Sequence, residues 1–148
     1  MVVAEKRLID EYFKVEDIDQ AGQSFKRVSR IKCKSKSGEV DMELDVNIDI
    51  YPIDKGSEYR VLIVRSLGIS QEMDQGKYKP EFSQIDNELL EKFQYAMFGR
   101  VFKMIKDQNK MINVFASFGG LILKLSGKSE ELDKFADDQR VYLLMRKA

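Results

Sequence analysis

Residues 40–51 alternate almost without fault: Val40, Met42, Leu44, Val46, Ile48 and Ile50 are apolar, with Asp41, Glu43, Asp45, Asn47 and Asp49 between them. A period of two predicts a β-strand with one buried and one wet face. Strands average about 5–6 residues, so a strand of this length must curve round a closed sheet or serve two sheets. The chain is therefore expected to form a β-barrel.

Composition narrows what such a barrel can do. The 148 residues fit a single domain, 1–148, without internal repeat or linker. Lys plus Arg equals Asp plus Glu at 25 each, so the molecule as a whole has no charge bias toward nucleic acid or membrane. Histidine is absent, which removes the commonest general base and metal ligand. The lone Cys33 excludes an internal disulfide and suits a reducing compartment. No apolar run reaches the length of a membrane span, and Met1 to Leu8 lacks a signal-peptide core. The expectation is an intracellular, soluble protein with no membrane partner.

Along the chain we expect a polar leader to about Asp19, flexible over residues 1–9, with a short helix through Ile9, Tyr12 and Phe13. A strand through Arg30, Ile31, Lys32, Cys33 and Lys34 turns at Ser35–Gly38 into the long acidic strand. A four-residue loop there opposes Lys34 to Glu39, Lys32 to Asp41 and Arg30 to Glu43. Tyr59 to Leu67 is apolar on both faces and reads as a central strand. Residues 68–92 form a long loop, with a helical turn from Asp86 through Leu89 and Leu90. Strands follow at Phe93 to Ile105 and Met111 to Phe118, turning between them at about Asp107 to Lys110. Gly119 and Gly120 mark a bulge or corner before Leu121, Leu123 and Leu125 resume the alternation. Ser129 caps a short helix with Glu130 and Glu131 in its first turn, and Val141 to Arg146 is the last strand.

Three residue sets carry candidate chemistry. Lys26, Arg27, Arg30, Lys32, Lys34 and Lys36 form a basic stretch without an acid, able to follow a phosphate backbone. The neighbouring acidic strand can equally neutralise it, each opposed pair contributing roughly 0.2–1 kcal/mol. Asp41, Glu43, Asp45 and Asp49 share a face. Successive outward side chains on a strand stand about 6.6–6.8 Å apart, however, too far to converge on one magnesium, so no metal or cofactor is expected. Tyr95, Phe98, Phe102, Phe115 and Phe118 lie on two adjoining strands and cannot all be core, because Tyr95 and Phe98 point to opposite faces, as do Phe115 and Phe118. Few charges interrupt residues 95–105, which favours a protein partner over base stacking. Cys33 reads as a core residue, and no Ser, Cys or Lys has a nucleophile's surroundings. Catalytic residues: none are expected.

Five segments, Phe25-Lys-Arg-Val-Ser-Arg30, Leu44-Asp-Val-Asn-Ile48 with Tyr51-Pro52, Tyr95-Ala-Met-Phe-Gly99, Ser117-Phe-Gly-Gly-Leu121 and Arg140-Val-Tyr-Leu-Leu-Met-Arg-Lys147, occur in an order that resembles a known family. It is the OB-fold subunit, eighth by number, shared by nuclear RNA polymerases I, II and III. Asp10-Glu-Tyr-Phe13 with Val15 and Asp17-Ile-Asp19 resembles that family's opening. The resemblance implies an all-β, antiparallel eight-stranded barrel of OB topology, with no active site, bound to the largest polymerase subunit in the nucleus and not as a homo-oligomer. It also implies weak contact to single-stranded nucleic acid around Phe25 to Lys36. The docking surface it suggests is Tyr95, Phe98 and Gly99 with Phe118, Gly119, Gly120 and Arg146. The alternative reading is a free-standing single-strand-binding module that uses the basic hairpin.

Overall fold

The first described segment is a strand rather than a leader: β1 runs Arg7–Gln20. The computed structural model describes residues 7–20, 27–65 and 91–148. Lys26 and the expected loop and helical turn at 68–90 lie outside them. The expected helix near Ile9 to Phe13 and the flexible 7–9 stretch give way to β1, where Phe13 and Val15 are fully buried between exposed Tyr12, Lys14 and Glu16. Two register shifts, at Arg7/Ile9 and Val15/Asp17, break the period of two and hide it in the sequence.

The other strands are β2 (Val28–Ser35), β3 (Val40–Asn47), β4 (Glu58–Val64), β5 (Tyr95–Lys106), β6 (Met111–Phe118), β7 (Leu121–Lys128) and β8 (Arg140–Lys147). They close into an antiparallel barrel in the order β1-β2-β3-β7-β6-β5-β8-β4. The strands that serve two neighbours by length are β1 and β5. β1 gives its first half to β4 and its second to β2, while β5 pairs β8 from Tyr95 to Arg100 and β6 from Arg100 to Lys106.

The acidic strand is shorter than its alternation predicts. It stops at Asn47, whose Oδ1 accepts the Asp49 and Ile50 N–H groups while its C=O accepts those of Ile50 and Tyr51. Ile48 and Ile50 therefore sit in a turn, and Ile50 is 71% exposed. The β2–β3 register also differs from expectation by two residues: Lys34 opposes Asp41, Lys32 opposes Glu43 and Arg30 opposes Asp45. Ser35 sets it, its C=O accepting Gly38 N–H and its Oγ accepting Val40 N–H, with Gly38 at φ +81° in the turn. A shift of two preserves faces and charge signs.

Phe13, Ile31, Leu44, Val61, Ile63, Val114, Leu125 and Leu143 fill the barrel. β4 is buried on both faces, as expected: Val61 and Ile63 point into the core, while Leu62 and Val64 join Leu144, Phe93 and Tyr142 in a second cluster. Gly119 and Gly120 form a two-residue hairpin turn rather than a bulge, both at positive φ (63° and 101°), with Phe118 opposite Leu121. Helix α1 (Ser129–Leu132) has Glu130 and Glu131 in its first turn and sends Leu132 into the core. Lys128, not Ser129, occupies its N-cap, and no side chain caps it.

Candidate interaction surfaces

The barrel opens where β5 begins. Pairing between β5 and β6 starts at Arg100↔Ser117, and β6 ends at Phe118. Among the described residues, 95–99 are thus laddered to β8 alone. Val101 N–H donates to Gln139 C=O, on the β8 side. Antiparallel alternation then turns the N–H and C=O of Ala96 and Phe98 to the opposite, open edge. Beside that edge lies a groove of about 360 Å³ lined by Asn47, Ile50, Gln94, Met97, Phe98 and Leu121, with Tyr95 and Phe118 at its floor. Phe98 is 56% exposed and its ring packs on Tyr142 at 5.0 Å.

The floor is built by tyrosines. Tyr95 is buried and stacks on Tyr51 at 5.2 Å, with rings 9° from parallel. Its hydroxyl accepts Asn47 N–H and donates to Met97 Sδ. Tyr51 donates to Gln94 Oε1 at 2.6 Å, which also accepts Lys147 N–H. Burial pushes the Tyr51 hydroxyl up to about 12 and raises Tyr95, so both stay protonated donors at neutral pH.

Of the docking residues expected from sequence, Phe98 presents its ring at the groove and Tyr95 and Phe118 support it from below. Gly99 is buried where a Cβ would strike the Ser117 carbonyl and the Phe118 ring, so it meets a packing requirement. Gly119 and Gly120 turn the adjoining hairpin. Arg146 stands elsewhere, opposite Arg60 across β8 and β4, with a buried Nε that has no hydrogen-bond partner among the described residues. Sequence reasoning missed Ile50, Gln94 and Leu121. For Ile50 the signal was available in Asn47, a turn-forming side chain three positions before an apolar residue.

The basic stretch does not stand alone. On one side β2 faces the acidic row of β3, and on the other Lys32 faces Asp17 of β1. Arg30 makes a two-pronged contact with the buried Asp45, Nε to Oδ1 at 2.8 Å and Nη2 to Oδ2 at 3.2 Å. Those hydrogen bonds raise the Arg30 guanidinium above its usual range. Asp45 Oδ2 also accepts Ile122 N–H at 2.9 Å, tying β7 to the same carboxylate. Arg27 pairs Asp49 at 3.1 Å in the open, Lys34 faces Asp41 and Lys14, and Lys36 N–H donates to Tyr12 C=O. The acidic row is thereby divided among separate cations, and among the described residues no three His, Cys, Asp or Glu side chains converge as metal ligands. Cys33 is buried and its thiol is pushed up to about 12, mainly by desolvation.

The remaining aromatics lie apart from the groove. Phe102, 54% exposed, packs on Phe115 at 6.1 Å, and the Nζ atoms of Lys103 and Lys124 approach the Phe115 ring at 6.0 and 5.8 Å. The five aromatics of these two strands, expected from sequence to point to opposite faces, are divided between barrel floor, groove rim and this cationic face.

A model of the family described as RNA polymerase Rpb8 matches residues 10–147. A Dictyostelium discoideum protein named "DNA-directed RNA polymerases I, II, and III subunit rpabc3" is 37% identical over 147 residues, covering 95% of this chain and 97% of its own. A Caenorhabditis elegans protein named "Probable DNA-directed RNA polymerases I, II, and III subunit RPABC3" is 31% identical over 144 residues, 95% of each chain. The Saccharomyces cerevisiae protein of corresponding name is 26% identical over 146 residues, 95% of this chain and 97% of its own.

Proposed function

This chain belongs to the RNA polymerase Rpb8 family and is a non-catalytic subunit of DNA-directed RNA polymerases I, II and III, and we propose that it docks on the largest subunit through the groove at the mouth of its barrel. The observation that carries the docking site is the open edge at Ala96 and Phe98 beside exposed Phe98 and Ile50. An unpaired strand edge offers backbone donors and acceptors to an extended partner segment, and apolar side chains beside it supply burial. Among the described residues the groove's lining carries no ionised side chain, in keeping with the depletion of charge at interface cores. Assembly into these enzymes places the protein in the nucleus.

The basic hairpin gives less support to a free-standing nucleic-acid module. Arg30, Lys32 and Lys34 each face a carboxylate on β3, and Lys32 also faces Asp17 on β1, so little unpaired field is left to attract phosphate.

Affinity capture tests the docking site. Phe98→Glu and Ile50→Glu replace exposed side chains and leave the core intact, and each is expected to reduce co-purification of the largest subunit at least tenfold. Arg27→Ala, in the exposed pair with Asp49, is expected to leave capture unchanged. Full capture by both groove variants, with folding verified by circular dichroism, would place docking elsewhere on the barrel.

A further inference from the structure

Apolar side chains and cations share one outer wall of the barrel. Among the described residues the large apolar side chains left exposed are Tyr12, Ile50, Phe98, Phe102 and Ile105. Ile50 and Phe98 border the docking groove. Phe102 and Ile105 stand instead on the wall of β5, β6 and β7, where the irregularity between Val101 and Lys103 leaves Phe102 and Lys103, consecutive residues, both exposed. Phe102 packs on Phe115, and Phe115 with the half-buried Ile122 forms the apolar side of a notch of about 170 Å³ completed by Arg30, Glu43 and Lys124.

The same wall is basic. Residues 95–128 hold Arg100, Lys103, Lys106, Lys110, Lys124 and Lys128 against a single acid, Asp107, whose Oδ1 is taken up by the Asn109 and Met111 N–H groups in the β5–β6 turn. Arg100 is paired with Asp138 at 3.1 Å. Lys103 has no carboxylate partner among the described residues, and Lys124 reaches Glu43 only at 3.9 Å. Register sets Lys103, Phe115 and Lys124 in one row across the three strands, with the two ammonium groups 6.0 and 5.8 Å from the ring between them.

We propose that this wall docks an acidic amphipathic helix of another protein, which lies across the three strands with carboxylates on Lys103 and Lys124 and apolar side chains on Phe102, Phe115 and Ile105. Two features select this occupant. Ile105 and Ile122 are branched aliphatic side chains without a π-face, and burying them calls for the apolar side chains of a protein. Spacing selects the helix. The backbones of β5 and β7 lie two strand spacings apart, roughly 9.5 Å, and helix positions i and i+7 stand on one face about 10.5 Å apart, with i+3 and i+4 between them over the Phe115 ring. In an extended segment the residues about 10 Å apart are i and i+3, which point to opposite faces. The lysines give up only weak cation–π contacts to form charged pairs with the partner. The wall is separate from the docking groove, so one subunit can engage both partners.

The test is fluorescence anisotropy of the full-length protein at low salt with a labelled helical peptide of about 18 residues, carrying Glu at i and i+7 and Leu at i+3 and i+4. Wild type is expected to bind it at least tenfold more tightly than a peptide of the same composition with the glutamates moved to the opposite face. Lys103→Glu should weaken binding about tenfold, and a peptide with Lys in place of the facing Glu should restore it. Phe102→Ala, at an exposed side chain that the fold does not need, should weaken binding about fivefold. Phe98→Glu in the groove should leave it unchanged. Absence of binding by wild type, equal binding of the two glutamate arrangements, or no rescue of Lys103→Glu by exchange of either glutamate would each overturn the proposal. Displacement of the peptide by a lower concentration of oligothymidylate of equal charge would overturn it too, by giving the wall to nucleic acid.

Discussion

Asp45 is the side chain on which three strands meet. Buried on β3, it is held by Arg30 of β2 in a two-pronged ion pair and accepts the Ile122 N–H of β7, beyond the point where the β3–β7 ladder ends at Leu44↔Leu123. A carboxylate with three donors spans a gap that backbone pairing leaves open. Asp45→Ala would strand the Ile122 amide and the Arg30 fork, and we expect it to cost about 2–3 kcal/mol. Asp45→Asn, which keeps an acceptor, should cost less. Urea-denaturation midpoints measure both, and an alanine variant as stable as wild type would show that solvent replaces the bridge. Glu11 has the opposite character. Burial raises its carboxyl pKa above 4.5 despite the Ser37 hydroxyl donated to it, and Glu131, Asp10 and Glu39 add like charge. A carboxyl raised on folding is a burden when ionised, so its contribution improves as pH falls from neutral through the folded pKa. Glu11→Gln is expected to be more stable than wild type at pH 7, by about 0.5 kcal/mol or less because the site is largely solvated. That advantage should vanish near pH 4, as thermal melts at the two pH values would show.

At the scale of elements, the parts that could be read in the sequence are those where one physical rule acts alone. Met111–Phe118 alternates cleanly between two turns and forms β6 to the residue. The two apolar faces of β4 announce burial on both sides. β1 escaped because its two register shifts scramble the alternation that would have revealed it. The β2–β3 register escaped for the converse reason: basic and acidic rows of period two match equally well in either register, and the hydrogen bonds of Ser35 decide between them. The candidate groove was half legible. Phe98 and the glycines advertise themselves, whereas the open edge of β5 depends on where β6 stops, a long-range fact that no local pattern carries. That edge leaves a measurable signature. In the isolated protein the amides of Ala96 and Phe98 should exchange with solvent much faster than those of Met97 and Gly99, which face β8. In the assembled polymerase Ala96 and Phe98 should become protected. Equal protection of all four amides in the isolated chain would show that the edge is already closed.

For the whole molecule, neutrality is an average over unlike walls. Around the barrel, β1, β2 and β3 set acidic against basic rows and cancel, while β5, β6 and β7 keep an excess of lysine beside exposed rings. Total charge and composition therefore understate how differently the two sides meet a partner, because field and contact act over about a Debye length, roughly 8–10 Å, and not over the whole protein. The groove sits between these walls, at the end of the barrel where the start of β5 runs past the end of β6.

The open edge at the start of β5 also bears on how much of this protein a cell can carry. A bare strand edge flanked by Phe98 and Ile50 is the kind of surface that chaperones hold and that aggregating chains recruit. A copy docked as proposed here hides that edge, and a surplus copy displays it. Quality control could thus distinguish an employed molecule from an orphan without any dedicated signal, and the abundance of the subunit would follow that of its partner.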